Sequence, residues 1–191
     1  MKTIFLDIDS QLDFLYPSGA LYVSGAEKIV DNIGRLNRYA AAHGIPVVST
    51  VDAHTEDDPE FKVWPHHCVA GTTGQHKAEA TLLPNRVVIP NRPDDLNLDG
   101  AQQIIVEKQT VDVFQAANLE RVMRHLDAEK FVVYGVVTEI CVLWAIRGLT
   151  RLGRRATLVQ DAVASLTDQG ASSALEEMLS SGVTLCNAAD I

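Results

Sequence analysis

The sequence predicts one α/β domain over residues 1–191, a three-layer α/β/α arrangement around a mainly parallel sheet of about six strands. Three observations predict it. Short runs rich in Val and Ile alternate with longer stretches whose apolar residues recur at helical spacing. The short runs are apolar throughout, as strands of a parallel sheet covered on both faces are. No repeat, linker or low-complexity tract interrupts the alternation.

The elements follow in order. Thr3–Ile8 is an apolar run edged by acids and forms the first strand. Residues 27–43 place Ile29, Val30, Ile33, Leu36 and Ala40 on one helical face, and Gly44 stops that helix. Residues 45–51 form a second strand that ends at Asp52. Residues 52–102 hold five of the seven prolines and four of the six histidines, so only Arg86–Ile89 reads as a strand there. Alternation then resumes: strand 103–106, helix 115–126, strand 131–137, helix 140–152, strand 156–160, helix 170–181 and strand 183–185. The apolar residues Leu143, Ile146 and Leu149 face either the sheet or a second subunit, so a homo-oligomer stays open.

Composition narrows the partners. Sixteen basic residues against 25 acidic leave a formal charge of −9 at pH 7, which argues against nucleic acid or an anionic membrane as partner. No apolar run approaches the roughly 18 residues of a membrane span. The first residues carry acids within their apolar stretch and read as a strand and not as a signal peptide. Cys68, Cys141 and Cys186 are too few and too scattered for a disulfide framework, so a reducing cytoplasm is the expected setting.

Ligands of such sheets bind at the carboxyl ends of the strands. Four of those ends carry chemistry: Asp9, Asp52 with His54, Lys108, and residues 138–141. Cys141 follows an apolar strand at the opening of a helix, where the first-turn N–H groups favour a thiolate and could hold an oxyanion. Asp9 could exchange its proton, and Lys108 could meet both over a neighbouring strand end and lower the thiol pKa. Asp52 and His54, two apart on extended backbone, point the same way. With His67 they make a two-His, one-carboxylate set suited to zinc, with manganese or iron(II) as alternatives. Asp7-Ile8-Asp9 has the look of a phosphatase acidic pair, but Gln11 stands where Thr or Val belongs and Asp161 is followed by Ala-Val-Ala-Ser-Leu. Gly71–Gly74 lacks the Lys and the helix of a phosphate loop.

Four motifs together resemble the isochorismatase-like cysteine hydrolases, and within them the nicotinamidase branch. They are Asp9-Ser10-Gln11-Leu12-Asp13-Phe14 followed by the Pro17–Val23 stretch; Asp52-Ala53-His54; the Trp64–Thr72 stretch with its Trp-Pro-x-His-Cys core; and Lys108 with the later Gly135–Val142 segment. The resemblance implies Cys141 as nucleophile, Asp9 as proton-transferring acid/base and Lys108 as the orienting, charge-stabilising partner. It implies a cis peptide between Val136 and Val137 that turns the Val137 N–H, with that of Cys141, towards an oxyanion. It further implies a divalent metal on Asp52, His54 and His67, and Phe14 and Trp64 flanking an aromatic ring. A further metal-binding His common in the branch is replaced by Glu60 before Phe61, so the site uses Glu60 or fewer protein ligands. The implied reaction is hydrolysis of nicotinamide to nicotinate and ammonia. The alternatives are a different small amide, ureido or maleamate-like substrate, or a metal-binding protein without activity.

Overall fold

In the computed structural model, which describes residues 2–93, 95–98 and 100–191, seven strands form one parallel sheet. They are β1 (Thr3–Ile8), β2 (Val47–Asp52), β3 (Arg86–Ile89), β4 (Gln103–Lys108), β5 (Lys130–Val136), β6 (Arg155–Ala164) and β7 (Thr184–Cys186). Their order is β3-β4-β2-β1-β5-β6-β7. The sheet has one strand more than the expected total of about six, although each of the seven lies at a run read as a strand; the edge strands are short, four residues in β3 and three in β7. Five helices accompany them: α1 (Leu12–Leu15), α2 (Val30–Ala42), α3 (Leu119–Leu126), α4 (Leu143–Arg151) and α5 (Asp168–Ser180).

Strand alternation divides the core into two layers. Ile4, Leu6 and Ile8 of β1 point to the side covered by α3, α4 and α5, where Leu119, Val122, Ile146, Leu149 and Met178 are buried. Phe5 points the other way, to the Ile33, Leu36 and Ala40 stripe of α2. Each face of the sheet is therefore covered, as largely apolar strands require, and the α2 side also buries a hydrogen-bonded polar group of Asp7, Asn37, Ser49 and Gln103. Leu143, Ile146 and Leu149 lie in the first of these layers, against the sheet.

Several boundaries differ from the sequence expectation, each for a local reason. The helix expected over 27–43 begins as a 3₁₀ turn at Ala26–Ile29 and becomes α-helical at Val30. The one expected over 115–126 starts at Leu119, because Val113–Gln115 forms a separate turn capped by the Asp112 carboxylate. The segment before α4 is a π-helical turn, Thr138–Val142, so Cys141 sits in a wide turn and not in the first turn of an α-helix.

The strand ends that matter are neighbours. β4, β2, β1 and β5 lie side by side, and the chain leaves β1 towards β2 on one side while β5 returns on the other. That reversal opens a crevice at their carboxyl ends. The close approach of β5 to β1 demands Gly135: a Cβ there would lie 2.0 Å from the Ile8 carbonyl oxygen, at a φ of 119°.

Candidate active site

β1 ends at Ile8, and Asp9 turns the chain with a φ of 48°. The turn buries the Asp9 carboxylate completely. One of its oxygens accepts a 2.6 Å hydrogen bond from the Thr50 hydroxyl of β2, and the other lies 2.9 Å from the Lys108 ammonium. Lys108 ends β4 in direct register with Asp52 of β2. Its Nζ donates to Asp52 Oδ1 at 2.5 Å and lies 3.8 Å from Cys141 Sγ. Asp9 also stands close enough to Cys141 to raise its thiol pKa. Asp9, Lys108 and Cys141, drawn from three different strand ends, thus meet around one buried ammonium.

Their electrostatics follow from burial and from that shared charge. Burial alone would favour the neutral amine of Lys108, but Asp52 and Asp9 outweigh it and push its pKa well up, so it stays cationic. Burial raises the Asp9 carboxyl, and Lys108 offsets this only in part, with Asp52 adding to the rise. Asp52 resists its own burial because Lys108 and His54 stand beside it, and its pKa falls to about 2. At Cys141 the expected thiolate is corrected. Burial pushes the thiol well above its ordinary range, and Asp9 and Asp52 add to that against the pull of Lys108. Nearby carboxylates and lost hydration together exceed one ammonium. This balance opposes a free thiolate and favours the thiol form.

The peptide bond between Val136 and Val137 is cis. Val137 and Cys141 both line a narrow cleft, together with Phe14, Leu21, Val23, Trp64, Val111, Ile140 and Leu166. The same cleft is lined by Asp52, Glu60 and His67. Phe14 is buried with its ring 5.4 Å from the His67 ring. The cleft thus brings the thiol together with an imidazole and two carboxylates.

Asp52, His54 and His67, all buried, bring one potential ligand atom each to within 4.8 Å of one another. His67 turns Nδ1 to the Pro65 carbonyl at 2.7 Å, which leaves Nε2 facing Asp52. His54 Nδ1 lies 3.0 Å from the Asp58 carboxylate as an ion pair, and neither of its buried ring nitrogens makes a hydrogen bond. An imidazole paired with a carboxylate, with its second nitrogen unsatisfied, fits a metal ligand. The potential fits too. Against the effect of burial, Asp52, Asp58 and Glu60 push the His54 pKa up to about 9, so this corner attracts positive charge. Glu60 itself lies outside the 4.8 Å group and lines the cleft, half-buried, with its carboxyl raised by burial and by Asp52.

Two residues of this site were not singled out from the sequence. Thr50 lies two positions before Asp52 on the same strand, and that period-two spacing was the available signal. Asp58, four residues after His54, is placed by a loop and had no signal beyond its charge.

Among known proteins, residues 3–190 match the family model described as the isochorismatase domain. The chain superposes on nicotinamidase/pyrazinamidase from Bacillus subtilis with a TM-score of 0.84 and 26% identity, covering 98% of this chain and 100% of that one. Pyrazinamidase of Pyrococcus horikoshii in complex with zinc gives 0.82 and 26%, over 98% and 99%. N-carbamoylsarcosine amidase from Thermoplasma acidophilum gives 0.81 and 25%, over 100% and 99%.

Proposed function

The chain belongs to the isochorismatase-domain family of hydrolases, and from that premise we propose that it hydrolyses the carboxamide of a small aromatic ring, nicotinamide to nicotinate and ammonia. The observation that carries this is one cleft lined jointly by Cys141, backed by Asp9 and Lys108, by Asp52 and His67, and by the rings of Phe14 and Trp64.

Asp9 takes the Cys141 proton as sulfur attacks the carbonyl carbon. The oxyanion is held by the N–H groups of Val137 and Cys141. Asp9 returns the proton to nitrogen, the C–N bond breaks, and ammonia leaves a thioester. Asp9 then draws a proton from water, which attacks the thioester, and the acid departs as the thiol is reprotonated. Lys108 holds Asp9 in place and offsets the negative charge that passes between oxygen and sulfur. Asp52, His54 and His67 would hold a divalent cation, zinc by their donor set, whose chemistry there is Lewis-acid binding of a ring nitrogen.

The cleft walls favour a neutral ring over a carboxylate-bearing amide. Among the described residues no Arg or Lys lines the cleft, and Lys108 behind it is committed to Asp9 and Asp52.

The test is ammonia release from nicotinamide by the zinc-loaded protein, beside N-carbamoylsarcosine and maleamate as competing substrates. Turnover of nicotinamide that Cys141→Ala abolishes is expected. Substantial residual turnover in that variant would refute the cysteine mechanism, and a preference for the anionic amides would refute the substrate.

A further inference from the structure

The cleft leaves unexplained why a glutamine and a second aspartate, neither of which touches it through a reacting atom, are completely or almost completely buried beside it. Gln11 is 0% and Asp13 8% exposed. Gln11 places its side-chain amide against the backbone of Asp52: Oε1 accepts from the Asp52 N–H at 2.7 Å, and Nε2 donates to the Asp52 carbonyl at 2.9 Å. The same Nε2 donates to the Gln75 carbonyl at 2.7 Å. The reason lies in the sheet. β1 pairs with β2 only as far as Ile8 opposite Thr50, and Asp9 then turns away. Asp52 stands beyond that last rung, and the Gln11 amide supplies the rung that β1 no longer can.

Asp13 does the same for the other ligand segment. Its Oδ2 accepts from the Cys68 N–H at 2.7 Å and its Oδ1 from the Ala20 N–H at 2.9 Å. Cys68 follows His67 directly, holds a φ of 46°, and accepts at its carbonyl from the His54 N–H at 3.1 Å. The Asp13 carboxylate is enclosed: a Cβ on Gly74 would lie 2.2 Å from it. Residues 9–13 therefore carry the acid/base Asp9 and grip, through two side chains, the backbone of every segment that bears a ligand of the candidate metal centre.

We infer that Gln11 and Asp13 are the positioning residues of that centre. They hold Asp52, His54 and His67 at ligating separation and in a fixed relation to Asp9. The inference rests on the proposed reading of those three residues as metal ligands. Partners that orient ligands from behind typically change metal affinity by about 10- to 100-fold when removed.

The test is zinc affinity of the full chain after chelator stripping, measured by competition with a chromophoric chelator, for wild type, Gln11→Met, Asp13→Asn, Asp52→Ala and Tyr134→Phe. Tyr134 serves as control because its hydroxyl donates to Asn37 at 2.5 Å, a fully buried bond that touches no ligand segment. Gln11→Met and Asp13→Asn should each weaken zinc binding by about 10- to 100-fold, while Tyr134→Phe leaves it unchanged. If near-ultraviolet circular dichroism shows Gln11→Met unfolded, Asp13→Asn decides alone. Wild-type affinity in either folded variant overturns the inference, as does an equal loss in Tyr134→Phe. A wild type that binds zinc no better than Asp52→Ala overturns the metal reading beneath it.

Discussion

Lys108→Met gives the most demanding test of the site's electrostatics. The ammonium is 1% exposed and holds two carboxylates, Asp9 at 2.9 Å and Asp52 at 2.5 Å. Its removal leaves two buried acids facing each other without a cation. Breaking a buried ion pair from one side costs about 3–5 kcal/mol. The lower part of that range is expected, because Asp9, already raised by burial, escapes by taking up a proton, whereas Asp52 keeps His54 as a partner. About 3 kcal/mol at roughly 2–4 °C per kcal/mol for a chain of this size is a fall in melting temperature of roughly 6–12 °C. Asp9→Asn added to Lys108→Met removes one of the two stranded charges, so most of that loss should return. Activity should not return, since kcat falls by at least about 100-fold without the acid/base and its partner. The assays are thermal unfolding of metal-stripped protein and ammonia release by the metal-loaded form. A Lys108→Met protein that melts with wild type, or a double variant no more stable than the single one, would refute the account of Lys108 as the shared counter-charge.

Two further perturbations read other parts of the cleft. The Thr50 hydroxyl bond lowers the Asp9 pKa, so Thr50→Val should raise it; the carboxylate form is then lost at higher pH, and the acid limb of the kcat/KM profile should move upward, whereas an unmoved limb would remove Asp9 from the role of base. Leu166 lines the cleft while 39% exposed, so Leu166→Ala should raise KM for nicotinamide by about 3- to 10-fold and leave kcat nearly unchanged; a fall in kcat alone would mean that Leu166 does not contact bound substrate.

Much of this architecture was legible because it is local. Apolar runs without polar alternation announced strands covered on both faces, and Asp9, Asp52 and Lys108 could be picked out as polar residues at the ends of such runs. The pairing of Asp52 with His54 followed from a two-residue period on extended chain. Less legible were the places where an element changes type partway. The π-helical turn at Cys141 and the separate 3₁₀ turn before α3 both carry helical-looking sequence. Asp58 and the grips of Gln11 and Asp13 were invisible as roles, because each partner lies on a loop or beyond a strand end, as far as 64 residues away in the chain for Gln11 and Gln75 and 55 for Asp13 and Cys68.

Residue types and their order along the chain therefore determined the layers, the crevice and the chemical groups available at it. The charge states and the company those groups keep were decided only by the tertiary structure. A thiol near a lysine reads as a thiolate along the sequence. In the folded chain desolvation and two carboxylates push the thiol pKa up against the pull of one ammonium. Such balances depend on distance and on excluded water, and neither quantity is a property of a residue's neighbours in sequence.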